Sequence, residues 1–150
     1  MMPYELSVSE LDELFRLLQE ENDDSSIAVR SFTRHILLGR LASTSVFVDQ
    51  WPPPFHHAIG VQDMKAIFQH SDMDYVVAYS RCAADAGLLW TAVGEQRKWH
   101  QRSVLACGFP ENDASFYRKF FSDHILPPGS EIPFTESQER FPLRARLKRG

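Results

Sequence analysis

Val46-Phe47-Val48-Asp49-Gln50-Trp51-Pro52 is the stretch from which the rest of this chain is read. Thr44 to Asp49 gathers β-branched and aromatic residues, the types that pack on a pleated surface, so it reads as a strand. Pro52, Pro53 and Pro54 stop it, because three successive residues lack the N–H that a ladder needs. His57-Ala58-Ile59-Gly60-Val61 then reads as a strand returning beside the first, after a corner that packs Trp51 and Phe55 inward. Asp74 to Ser80 is the clearest strand of the chain. Ser103 to Cys107 is a short buried one, closed by Gly108 and Pro110.

Helical spacing flanks these strands. Ser7 and Glu10 have the spacing of a capping box, and Leu11, Leu14, Phe15 and Leu18 recur at three- and four-residue intervals after it. The acidic run from Glu20 to Asp24 opposes the dipole at a helix C-terminus, so a loop is expected there. Val29, Phe32, Ile36 and Leu37 fit a second, short helix with Gly39 as its stop. Ala83 to Val93 reads as a helix carrying Leu88, Leu89 and Trp90 to a core. A last helix is capped by Asn112 or Asp113, buries Phe116, Phe120 and Ile125, and ends at Pro127-Pro128-Gly129. The order of elements gives an α+β domain over residues 1–126, a small, mostly antiparallel sheet with flanking helices. Residues 127–150 lose periodicity and read as a linker or basic C-terminal tail.

Composition bounds the rest. A chain of 150 residues, 43% hydrophobic and 24% charged, has the make-up of one ordinary globular domain rather than a disordered one. No apolar run approaches the 18 or more residues of a membrane span, and the opening MMPYELSVSE lacks the apolar core of a secretory signal. Two cysteines, Cys82 and Cys107, suit a reducing, intracellular compartment. Five of the 16 basic residues stand in the last eleven positions, which hold no acid. The preceding 139 residues therefore carry all 20 acids against 11 bases, a balance that repels nucleic acid.

Few motifs carry chemistry by themselves. Six histidines show no metal-ligand spacing, and His56 and His57 are adjacent, pointing to opposite faces of a strand. All six read as structural or surface residues, and no metal is expected. Both cysteines read as packing residues. No phosphate-binding G-x-x-x-x-G-K-[ST] or G-x-G-x-x-G is present. Arg97, Lys98 and Arg102 lie close together and read as a solvated cationic face.

The stretch Val48-Asp49-Gln50-Trp51-Pro52 resembles the V-D-x-W-P-x-F segment of the glycine N-acyltransferase family, in the N-terminal half of those enzymes. Asp72-Met73-Asp74-Tyr75 entering a strand that ends Tyr79-Ser80-Arg81 is similar to the family's strand ending Tyr-Ser-Lys. Glu95 to Gln101 looks like its Trp-Lys-Gln segment in shifted order. The resemblance spans roughly residues 25–122. It implies the N-terminal half of an acetyltransferase-like (GNAT) fold, acyl-CoA as co-substrate, and an amino-acid acceptor such as glycine. It also allows a mitochondrial as well as a cytoplasmic site. On it, Asp49, Trp51 and Pro52 are structural or lie beside the acceptor. No catalytic or CoA-binding residue is carried over.

The CoA-binding loop of the wider acetyltransferase fold reads [QR]-x-x-G-x-[GA], and none of the seven glycines has Gln or Arg three positions before it. The expectation from sequence is therefore a family member that holds only the N-terminal half and is inactive alone. The alternative is a non-catalytic module whose acidic body and basic tail contact a protein partner.

Overall fold

The computed structural model describes residues 2–109, 114–125, 134–135 and 143–147. Among these, seven strands form one sheet in the order β1-β2-β3-β4-β5-β7-β6: β1 Tyr4–Glu5, β2 Thr44–Val48, β3 His57–Asp63, β4 Met73–Ser80, β5 Ser103–Phe109, β6 Phe134–Thr135 and β7 Leu143–Leu147. Every neighbouring pair is antiparallel except β4 and β5, which run parallel. Parallel neighbours need a crossover, and α3 (Gly87–Arg97) supplies it. The other helices are α1 (Val8–Glu21), α2 (Ile27–Leu37) and α4 (Ala114–Phe120), the last continued by a π turn over Phe121–Ile125.

Alternation along the strands builds two cores, one on each face. Val46, Val48, Ala58, Val77 and Tyr79 meet Leu11, Leu14 and Leu18 of α1 and Val29 and Phe32 of α2. Phe47, Ile59, Val61, Val76 and Ala78 meet Leu89, Trp90 and Val93 of α3 and Tyr117 and Phe121 at α4. Leu14 and Leu18 are fully buried, worth about 1.5–3 kcal/mol each. A Cβ on Gly60 would lie 2.7 Å from the Phe32 ring and 2.9 Å from Val77, so a bare backbone lets α2 approach the sheet this closely.

Local signals act as the sequence suggests at most ends. Ser7 and Glu10 form the reciprocal capping box of α1. α1 continues through Glu21 to Asn22, which takes a left-handed conformation (φ 49°). Gly39, at φ +71°, stops the chain after α2.

Two readings need correction. The segment taken as linker or tail contributes β6 and β7, so the sheet extends past the 1–126 boundary to Leu147. Leu143-Arg144-Ala145-Arg146-Leu147 alternates apolar and cationic residues with a period of two, a strand pattern that the gathering of arginines conceals. On the last helix, Tyr117 and Phe121 are the fully buried positions, whereas Phe116 and Phe120 are only partly covered. The inward face is one residue further along than the spacing of phenylalanines suggests. Asn112, Asp113 and Pro127-Pro128-Gly129 lie outside the described residues.

At the N-terminal end of β4, the fully buried Asp74 carboxylate accepts from Arg97 Nε (2.9 Å) and Nη2 (2.8 Å), Arg102 Nη2 (2.8 Å) and Trp99 Nε1 (3.0 Å). Asp63 adds a second carboxylate to both arginines. The bonds to Asp74, with burial acting against them, raise the pKa of Arg97 above its ordinary value. Arg97 and Arg102 are thus not a solvated face. They neutralise two acids and tie the start of β4 to the end of α3. Among the described residues, no helix is long and apolar enough to cross a membrane.

Candidate functional site

The opposite end of β4 is open. Its pairing with β5 runs from Met73–Ser103 to Val77–Cys107 and stops, although β4 continues through Ala78 and Tyr79 to Ser80. β5 is also irregular there, with a register shift against β7 between Cys107 and Phe109. Two parallel strands that part in this way leave backbone donors and acceptors facing a gap between them.

The connection from β4 to α3 borders the gap. Arg81-Cys82-Ala83-Ala84-Asp85-Ala86 leads into Gly87, with a 3-10 turn over Ala83–Asp85. No side chain caps α3, and its first turn holds no acid. The free N–H groups and dipole of such a helix start favour an anion. This connection keeps the spacing of the acetyltransferase CoA loop, with Arg81 first, Ala86 last and Ala84 where the motif has glycine. A search keyed to glycine passes over it. Asp85 is the discordant residue, since it adds negative charge to the loop.

A cavity of about 330 Å³ lies here, lined by Asp49, His56 and His57 from the β2–β3 corner, Arg81, Cys82 and Asp85 from the connection, and Leu88 and Leu89 of α3. Asp49 builds the corner. Its Oδ1 accepts the backbone N–H groups of His56 and His57, both at 2.9 Å, while Oδ2 lies 3.3 Å from His56 Nδ1. Burial is the largest single influence and pushes its pKa up, but the two backbone bonds, the His56 ring and the His57 charge together leave the carboxyl below its usual value. Trp51 is half-buried against Phe55, their rings 6.3 Å apart, and Pro52 is exposed. Neither lines the cavity.

His57 is 5% exposed, and its Nδ1 is buried with no hydrogen-bond partner among the described residues. Desolvation is the main cause of a pKa below the ordinary 6.5, with the Asp49 charge acting against it. The ring is therefore neutral at neutral pH, with a basic nitrogen available. In the antiparallel register His57 sits directly opposite Ser80, so the two side chains share the face that α3 and α4 cover.

Tyr117 reaches that face from α4. Its hydroxyl, buried with the ring, donates to Ser80 Oγ at 3.3 Å, and Trp90 and Phe121 hold the ring at centroid distances of 5.6 and 6.0 Å. Sequence reasoning took this helix only as core. The signal for Tyr117 is a lone hydroxyl on the buried stripe of a phenylalanine-rich helix.

On the other face, Glu21 at the end of α1 accepts from the Arg81 guanidinium and, at 3.1 Å, from Tyr79 Oη. Burial first and Glu21 second push the Tyr79 phenol up to about 12. Arg81 also donates from Nε to the Phe55 carbonyl at 2.9 Å. These contacts tie α1, the proline corner and the end of β4 together. No group of three or more His, Cys, Asp or Glu among the described residues is placed to hold a metal ion.

No family model matches the chain, and no curated protein matches it in sequence. Solved structures do match in fold. An acyl-CoA N-acyltransferase from Pseudomonas aeruginosa is 14% identical, with a TM-score of 0.57, over 97% of this chain and 93% of that one. A Streptococcus mutans protein gives 10%, 0.61, 98% and 96%, and mutant forms of the Vibrio cholerae spermidine/spermine N-acetyltransferase give 9%, 0.52, 97% and 92%. At these identities the likeness is one of fold: an α+β domain of the acetyltransferase (GNAT) type. It reaches across nearly the whole of each neighbour rather than its first half.

Proposed function

We propose that this chain transfers an acyl group from acyl-CoA to an amine, with the parted ends of β4 and β5 as the place where the thioester lies. The observation that carries this reading is the end of the β4–β5 ladder at Val77–Cys107, with the uncapped start of α3 following β4 and Tyr117 bonded to Ser80 at the end of β4. An extended amide-bearing arm suits such a gap, because it adds to the strand edges as another strand would. The pyrophosphate suits the α3 N-terminus.

Chemistry at the gap needs a base and an acid. The amine nitrogen attacks the thioester carbonyl carbon, the C–S bond breaks, and the amine's surplus proton leaves to His57 Nδ1 or a water beside it. The departing CoA thiolate takes a proton from the Tyr117 hydroxyl, which gives up its bond to Ser80 Oγ to supply it. The Asp49 corner presents His57 on the α3 side of the sheet. Glycine or another amino acid is the acceptor that the Val48-Asp49-Gln50-Trp51-Pro52 stretch favours. Calorimetric titration with acetyl-CoA tests the binding half: one-to-one uptake is expected, and no uptake overturns the reading.

A further inference from the structure

α1 and α2 border a second hollow, of about 360 Å³, that shares no lining residue with the cavity at the β2–β3 corner. Arg30 and Arg34, one helical turn apart on α2, face it together with His35 and with Arg40, just beyond the Gly39 stop. No carboxylate lines it, in a chain with more acids than bases. Arg34 and Arg40 are exposed and form no salt bridge among the described residues. Arg30 reaches only neutral oxygens, Asn22 Oδ1 at 3.5 Å and the Asp23 carbonyl at 3.4 Å, and its buried Nε has no hydrogen-bond partner there. The Arg30 charge is felt by the Asp23 carboxylate outside the lining, which leaves Arg34 and Arg40 as cations whose mutual repulsion an anion between them removes. Phe15 and Ile27, the latter 52% exposed, add an apolar wall.

We infer that this hollow binds a small phosphate-bearing molecule, its phosphate oxygens taken by Arg34 and Arg40 and its apolar part laid against Phe15 and Ile27. Guanidinium forks match phosphate oxygens two at a time, which a compact ammonium group cannot do. The site is independent of acyl transfer and stands or falls apart from it.

The test is calorimetric titration of the full chain at low ionic strength with inorganic pyrophosphate, with ADP and with citrate. Arg34→Ala/Arg40→Ala is compared with the unaltered protein, and circular dichroism checks that the variant is folded. Arg40→Ala alone, at a position beyond the helix, serves as the second variant. Pyrophosphate and ADP are expected to bind, ADP more tightly, with citrate weaker than either. With the start of α3 counted as a separate phosphate site, the double variant should lose at least about tenfold in affinity at one site for both phosphates and keep the other. Absence of phosphate binding at millimolar concentration, equal binding by the variants, or a preference for citrate would each overturn the inference.

Discussion

Tyr117 Oη donates to Ser80 Oγ at 3.3 Å, on the last residue of β4 and three positions past its final pairing with β5. The bond joins α4 to the strand end where the sheet parts. Replacing Tyr117 with Phe keeps the ring among Trp90 and Phe121 and removes only the hydroxyl. The rate of acyl transfer should fall roughly 100-fold, as expected for losing a general acid, with acetyl-CoA affinity nearly unchanged. Steady-state kinetics beside a binding titration separate the two.

His57 sets the acid side of the pH profile. Desolvation keeps its pKa below 6.5, so kcat/KM should rise with pH along a limb whose midpoint lies below 6.5. His57→Gln should lower the rate and abolish that limb. Stability carries the same sign: between the lowered folded pKa and 6.5 the unfolded chain binds the extra proton. This contribution is complete above 6.5 and is lost as pH falls through the window. Urea midpoints measured across that range check it.

Asp74 lies at zero exposure beneath Arg97, Arg102 and Trp99. Asp74→Asn leaves two guanidinium groups with Asp63 as their only carboxylate from this cluster. It should destabilise the fold by about 3–5 kcal/mol in urea denaturation. A change below about 1 kcal/mol would mean that the network contributes no more than a surface ion pair.

Asp85 stands in the connection that precedes the start of α3, where a phosphate is proposed to lie. Removing its charge in Asp85→Ala should tighten acetyl-CoA binding by about two- to fivefold, the scale of one charge at a helix terminus. Weaker binding in this variant would place the phosphates elsewhere.

The sheet positions were legible in the sequence because they depend on local patterns. β2 to β5 lie on the β-branched runs that mark them, although β3 runs on to Asp63 and β5 passes through Gly108 instead of stopping there, and the capping box at Ser7 marks the start of α1. Asp49 was legible as a corner residue, though not as the acceptor for two backbone N–H groups. β7 was not legible because its five residues read by charge as a tail, and its partner strand is far away in the chain. Tyr117 was hidden among phenylalanines. The Arg81–Glu21 pair joins positions 60 residues apart, which no local pattern records. The match in spacing between Arg81–Ala86 and the acetyltransferase CoA motif escaped a pattern that demands glycine.

Thiol release from acetyl-CoA by the purified chain, across a panel of amino acids and other amines, measures the central claim most directly. The expected result is amine-dependent release above the uncatalysed rate, falling roughly 100-fold in Tyr117→Phe while acetyl-CoA binding persists. Release that no amine stimulates, or that Tyr117→Phe leaves untouched, would contradict an acyl-transfer site at the parted ends of β4 and β5.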